Sequence, residues 1–240
     1  MLPEGEHVKS VFLKGASALI STDLASKVFI DCSTIDIESS TLIKKDLQQK
    51  FPETSFYDAP VSGGVRGAEL GTLVFFLGCH EADSKLDFLT NLLQLMGRSV
   101  IPCGGSSLGL AAKTCNNYAL GIINIANAEA MNLGIRSGIS PKTLYQILTS
   151  GSAQNLIWAK NNPEPGMAPE AASTNGYKAG FKSSLMAKDM QLATKLAQQV
   201  QARLLLGDRA VTAYSDLCAN SEWRDLDFSV IYRSLQDFGV

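Results

Sequence analysis

The stretch Leu108 to Arg136 contains no proline and is rich in alanine and leucine. As one helix it would span about 40 Å at 1.5 Å per residue. Its apolar residues fall on more than one face, so such a helix needs partners on several sides, which in a small domain points to a second subunit. It also divides the chain into two regions with different patterns. Before it, up to about Gly104, short β-branched and aromatic runs alternate with helical stretches, the pattern of a parallel α/β sheet. After Gly104-Gly105 the strand signals nearly stop, and the remainder reads as helical. The expected division is therefore 1–104 and 105–240.

In the first region Val28-Phe29-Ile30-Asp31, Ser55-Phe56-Tyr57-Asp58, Leu73 to Gly78 and Ser99 to Pro102 read as strands. Asp36 to Phe51 and Glu81 to Met96 read as amphipathic helices. Thr34 can cap a helix beginning near Ile35. In the second region Ser140 caps a helix Pro141 to Leu148, with Pro141 in the first turn, where its missing N–H costs nothing. Further helices are expected at Ser184 to Gln201, Asp208 to Cys218 and Phe228 to Phe238. Asn161 to Gly180, rich in Pro, Gly, Asn and Ala, reads as a long loop.

Composition narrows the function classes. The chain has 240 residues, 45% hydrophobic and 18% charged, a profile that folds rather than one of disorder. A formal net charge of -2, from 21 basic and 23 acidic residues without a run of Lys or Arg, offers no footprint for nucleic acid or an anionic membrane. The expected partner is a small molecule. Five scattered cysteines read as reduced thiols, and two isolated histidines, His7 and His80, give no metal-ligand spacing, so no metal is expected. No apolar run has membrane-spanning length.

Three places carry candidate chemistry. Asp58-Ala59-Pro60-Val61-Ser62-Gly63-Gly64 reads as a turn at a strand's carboxyl end, where open α/β sheets bind ligands. Ser62, Gly63 and Gly64 are placed to grip a carboxylate through two amides and a hydroxyl; a tight turn without ligand fits the same motif. Lys113 and Asn117, four residues apart, share a helix face. A lysine between Ala112 and Thr114 in an apolar helix is desolvated, which would lower its pKa and suit it to move a proton near neutral pH, with Asn117 holding the substrate oxygen. A snorkelling surface lysine is the alternative. In Leu185-Met186-Ala187-Lys188-Asp189 the plain reading is a solvated pair near a helix start, with Asp189 complementing the dipole.

Six stretches in this order carry a resemblance: Met1-Leu2-Pro3, Asp31 to Asp36, Asp58 to Gly64, Gly109 to Asn117, Ala128-Glu129-Ala130-Met131-Asn132-Leu133-Gly134, and Leu185 to Asp189. Across essentially the whole chain they resemble the 3-hydroxyisobutyrate dehydrogenase family of β-hydroxyacid dehydrogenases. The resemblance implies an α/β fold: the C-terminal part of a Rossmann-like doubly wound sheet, then an all-α domain like that of 6-phosphogluconate dehydrogenase. It implies that 1–104 is part of an NAD-binding domain and 105–240 a substrate and dimerisation domain, in a homodimer or homotetramer. Lys113 would be the catalytic acid/base. Ser62, Gly63, Gly64 and Asn117 would bind the hydroxyacid, and Leu2, Pro3, Thr34 and Lys188 the cofactor, NAD with NADP also open. A second cation near Lys113 would depress its pKa further.

The chain departs from the family's pattern in two respects, one being that His7 occupies the family's polar position a few residues after Leu2-Pro3. The G-x-G-x-x-G turn that brings a pyrophosphate onto a helix N-terminus is absent; Gly63-Gly64-Gly67 and Gly104-Gly105-Gly109 have neither its spacing nor its context. The expectation is that the front of the nucleotide-binding domain is missing, that the strands expose an apolar edge, and that this chain alone binds NAD weakly. The implied activity is NAD-dependent oxidation of 3-hydroxyisobutyrate in valine breakdown, in the mitochondrial matrix of a eukaryote or otherwise in the cytoplasm. Reduction of tartronate, glyoxylate or succinic semialdehyde, and a non-catalytic dimerisation module, are the competing readings.

Overall fold

The structure, a computed structural model, describes residues 1–15 and 17–236. Two compact units divide the chain, Met1–Cys115 and Asn116–Val240.

The first unit opens with helix α1 (Gly5–Leu13) and a 3-10 turn at Leu19–Ser21, neither expected from the sequence. Strands β1 (Val28–Asp31) and β2 (Ser55–Asp58) pair in parallel, Asp31 opposite Asp58, and α2 (Ile37–Lys50) makes the crossover between them. A second sheet contains β3 (Val61–Ser62), β4 (Leu73–Leu77) and β5 (Gly97–Pro102). Strand β5 is parallel to β4, as β2 is to β1, in keeping with the parallel pattern of the sequence, whereas β3, a strand not expected there, runs antiparallel to β4. Two residues are too few to show an alternation in sequence, and β3 lies inside the segment read as a turn. The two sheets are stitched where β2 ends: the Gly78 amide donates to the Asp58 carbonyl at 2.7 Å and the Phe76 amide to that of Pro60 at 2.9 Å. Helix α3 (Gly64–Glu69) precedes β4. Helix α4 (Leu86–Gln94) is shorter than the helix read from Glu81, because His80 to Lys85 forms turns in which the Asp83 carboxylate accepts from the Lys85 amide.

Adjacent residues of a strand face opposite sides, and β2 shows the consequence. Phe56 enters a cluster with Val8, Ile43, Leu47 and Leu110, while Tyr57 enters another with Phe75, Leu77, Leu89 and Leu93. Along β4 burial alternates, with Phe75 and Leu77 buried in that second cluster and Val74 and Phe76, on the other face, half-buried. Helix α2 is capped by Asp36, whose carboxylate accepts from the Ser39 amide at 2.9 Å. The cap is therefore two residues beyond Thr34, and that expectation is corrected.

The second unit is helical. Helix α5 (Leu108–Arg136) spans 29 residues; it begins in the first unit and is the spine of the second from Asn116 onward. Ala128 and Met131 of α5 are fully buried among Trp158, Met186 and Tyr214, whereas Leu133 is 69% exposed. Helix α6 (Pro141–Ser150) starts at the Ser140 cap as expected and continues past Leu148. The short α7 (Leu156–Lys160), capped by Asn155, was not legible. The loop that follows contains one 3-10 turn, Ala172–Asn175. It is tied down from outside: Asp227, distant in sequence, accepts from the Asn161 side chain at 3.0 Å and the Phe181 amide at 2.8 Å. Helices α8 (Ser183–Gln199) and α9 (Gly207–Ala219) lie close to their expected bounds. The last expected helix is a 3-10 turn, Phe228–Val230, followed by α10 (Ile231–Gln236); the end of that expected helix, at Phe238, lies outside the described residues.

Candidate active site

In the first unit the carboxyl end of β1 organises the amino-terminal residues. The Asp31 carboxylate accepts from the amide and the hydroxyl of Ser33, at 2.9 and 2.5 Å, which fixes the Ser33 side chain. Its Oγ then accepts the Leu2 amide at 2.8 Å. Leu2 and Pro3 are thereby brought to the segment that carries the half-buried Thr34. Ser33 and Asp31 were not singled out from the sequence, although a carboxylate at a strand's carboxyl end was the available signal.

The carboxyl end of β2 leads to Ser62-Gly63-Gly64. Gly63 has φ +143° and Gly64 φ +65°, conformations that residues with a Cβ rarely adopt. At Gly64 nothing lies within 4 Å of where a Cβ would be, so backbone conformation rather than crowding requires glycine. Both glycines are exposed and Ser62 is half-buried.

Lys113 lies in the second turn of α5 and is 9% exposed, so it is not a snorkelling surface lysine. The start of α5 is held by a carboxylate distant in sequence: Asp58 Oδ1 accepts the Ser107 amide at 2.7 Å and Oδ2 the Leu110 amide at 2.9 Å. Asp58 is 3% exposed. Its burial pushes the carboxyl above its ordinary value, against the amide hydrogen bonds that pull it down.

The second unit brings Asn117, Lys188 and Asp189 together. Asn117, 1% exposed, donates from Nδ2 to Asp189 Oδ2 at 2.5 Å, and its Oδ1 accepts from Asn116 at 3.0 Å. The Lys188 ammonium lies 3.2 Å from Asp189 Oδ1. Asp189 is 2% exposed, which overturns the reading of a solvated pair at a helix start. The carboxylate sits on the inner face of α8 beside Met186 and Met190, and its partner Asn117 is 72 residues away. The close approach of the helices is permitted by Gly121, where a Cβ would meet Met190 Sδ and Cε at 2.9 Å.

Nucleophilic thiol chemistry does not suit these surroundings. Burial raises the Cys32 and Cys79 thiols to about 11, and it raises Cys103 and Cys218 as well. Each therefore stays protonated near neutral pH.

Residues 1–105 match the family model described as the NAD binding domain of 6-phosphogluconate dehydrogenase. Residues 107–235 match the one described as NAD-binding of NADP-dependent 3-hydroxyisobutyrate dehydrogenase. Together with the Rossmann-like sheet and the helical second unit, they define the class, an NAD(P)-dependent oxidoreductase. The chain is 40% identical over 237 residues to the 3-hydroxyisobutyrate dehydrogenase of Pseudomonas aeruginosa, covering 97% of this chain and 77% of that protein. It is 38% identical over 232 residues to the probable mitochondrial 3-hydroxyisobutyrate dehydrogenase of Dictyostelium discoideum, covering 97% and 70%. Among solved structures, the Mycobacterium tuberculosis 3-hydroxyisobutyrate dehydrogenase with L-serine has a TM-score of 0.86 at 34% identity, covering 98% of this chain and 78% of that one. The chain belongs to the 3-hydroxyisobutyrate dehydrogenase family.

Proposed function

We propose that this protein oxidises 3-hydroxyisobutyrate to methylmalonate semialdehyde with NAD(P), a step of valine breakdown. The observation that carries the proposal is the buried Lys113 on a helix whose start is pinned to Asp58, at the end of the strand that leads to Ser62-Gly63-Gly64. The relatives named 3-hydroxyisobutyrate dehydrogenase support the choice of substrate. So does the L-serine of the M. tuberculosis structure, a 3-hydroxy carboxylate that differs from 3-hydroxyisobutyrate by an amino group in place of a methyl.

Lys113, in its neutral form, takes the proton of the substrate hydroxyl as the carbon–hydrogen bond breaks. NAD(P), when bound, supplies the acceptor for the hydride. The carbonyl oxygen that forms is held by the Asn117 side chain, whose orientation Asp189 sets. Ser62 and the amides of Gly63 and Gly64 grip the carboxylate, in a backbone shape that suits an anion. Leu2, Pro3 and Thr34, at the carboxyl end of β1, fit the place where open α/β sheets hold nucleotides, and Lys188 completes the cofactor contacts. The homodimer or homotetramer that the family implies would cover apolar residues of α5, which fall on more than one face of that helix. The mitochondrial relatives support a place in the mitochondrial matrix of a eukaryotic host, and no helix among the described residues is long and apolar enough to cross a membrane.

A panel of hydroxyacids tests the substrate. Formation of reduced cofactor should have its highest kcat/KM with 3-hydroxyisobutyrate. A higher value with tartronate semialdehyde, glyoxylate or succinic semialdehyde in the reverse direction would move the assignment to a reductase.

A further inference from the structure

Asp58 stands at a junction that the proposed chemistry leaves unused. Its carboxylate is buried at the carboxyl end of β2, four residues before Ser62, and both oxygens are occupied by main-chain amides of the α5 start. Ser107, one of the two donors, has φ +66°, a left-handed conformation unfavourable for serine that needs a compensating contact. Leu110, the other donor, is itself 1% exposed and packed against the cluster under α2. Lys113 follows Leu110 by three residues, so the carboxylate fixes the turn from which the Lys113 side chain leaves.

The surroundings are shaped for this carboxylate. A Cβ at Gly78 would collide with Asp58 Oδ1 and lie 2.5 Å from Oδ2. A Cβ at Gly109 would collide with the Phe76 carbonyl and lie 2.8 Å from Asp58 Oδ2 and 2.9 Å from the Gly78 amide nitrogen. Two glycines from separate segments thus leave room for one buried acid. Ionised burial is costly, and a helix start can be capped more cheaply by a neighbouring Ser or Thr. A remote acid in that role ties two things a local cap would leave independent: the strand end leading to Ser62-Gly63-Gly64, and the helix turn carrying Lys113.

Resting on the reading of Lys113 as the base, we infer that Asp58 is a positioning residue that sets the register of Lys113 against the Ser62-Gly63-Gly64 anion grip. It touches neither substrate nor cofactor. Its effect belongs to the rate of the proton transfer more than to substrate binding.

The test combines hydrogen exchange with kinetics. Asp58→Asn keeps the size of the side chain but leaves one oxygen for two amides. The Ser107 and Leu110 amides should exchange at least about tenfold faster in the variant, with the core of the second unit unchanged. Displacement of a catalytic group by about 1 Å can cost on the order of 100-fold, so kcat should fall by about 10- to 100-fold while the hydroxyacid KM changes less than about threefold. A kcat within about twofold of the parent, or a loss confined to KM, overturns the inference, as does unchanged exchange at both amides. If Asp58→Asn does not fold, the parent decides: exchange of the Ser107 and Leu110 amides as fast as at exposed loop positions overturns the tie, and slow exchange supports it. Lys113→Ala separates this from the function itself. It should abolish turnover with the two amides still protected; retained turnover refutes the role of Lys113 without touching the exchange result.

Discussion

Each unit sets a buried aspartate among its proposed site residues, but the two aspartates grip different things. The Asp58 carboxylate accepts from main-chain amides at the start of α5, whereas that of Asp189 meets the side chains of Asn117 and Lys188, both residues of the proposed site. The difference teaches where tolerance lies. A disturbance around Asp58 moves backbone, and packed backbone has little room to yield. A disturbance around Asp189 is met first by side chains, which can change rotamer.

The same substitution at two glycines of α5 exposes this contrast most strongly. Gly109→Ala directs a methyl at the Phe76 carbonyl and the Gly78 main chain, and should cost about 3 kcal/mol. Gly121→Ala meets only the flexible ends of Met190 and Met186, and the gain in helix propensity of roughly 1 kcal/mol offsets most of the repacking. Urea unfolding of the two variants checks the pair. Equal losses would show that the two units are equally rigid.

Next in size is Asp189→Ala, which removes the charged acceptor of Asn117. A hydrogen bond to a charged group contributes about 1.5–3 kcal/mol, and the variant should lose stability of that order together with kcat/KM for the hydroxyacid. Asp189→Asn keeps an acceptor oxygen for Asn117 and should recover part of both. An Asp189→Asn variant as impaired as the alanine one would assign the effect to the Lys188 ion pair instead.

The smallest effect is a pH slope. Burial holds the folded Asp58 carboxyl above its ordinary value. The native state therefore keeps this proton longer than the unfolded chain, so the stability it contributes is complete below about pH 4 and is lost as pH rises through the folded value. Asp58→Asn removes that slope. Unfolding midpoints measured from acid to neutral pH should show the parent losing ground to the variant as pH rises; a difference that does not change with pH contradicts the assignment.

What the sequence disclosed follows the range of the interactions involved. Leu108 to Arg136 was legible because a proline-free run bounded by Gly104-Gly105 is a local signal, and the helix has those bounds. Ser140 and Pro141 mark their helix start for the same reason. Thr34 misled because two capping residues stand two apart, and Asp36 won by reaching the Ser39 amide. The fourfold spacing of Lys113 and Asn117 placed both on one helix correctly, but their anchors could not be read. Asp58 finds its donors 49 and 52 residues away and Asp189 finds Asn117 72 residues away, and no local pattern encodes such pairs. Strand β3 escaped because two residues show no alternation, and α7 because five residues show little helical period.

The central claim is that Lys113 moves the substrate's hydroxyl proton. Lys113→Ala tests it through the rate of cofactor reduction with 3-hydroxyisobutyrate, alongside the affinity for NAD(P) and the unfolding midpoint. General-base catalysis contributes on the order of 10²- to 10⁴-fold. The account predicts a fall of that size in kcat with cofactor affinity and fold retained; turnover close to the parent's in a folded Lys113→Ala protein would contradict it.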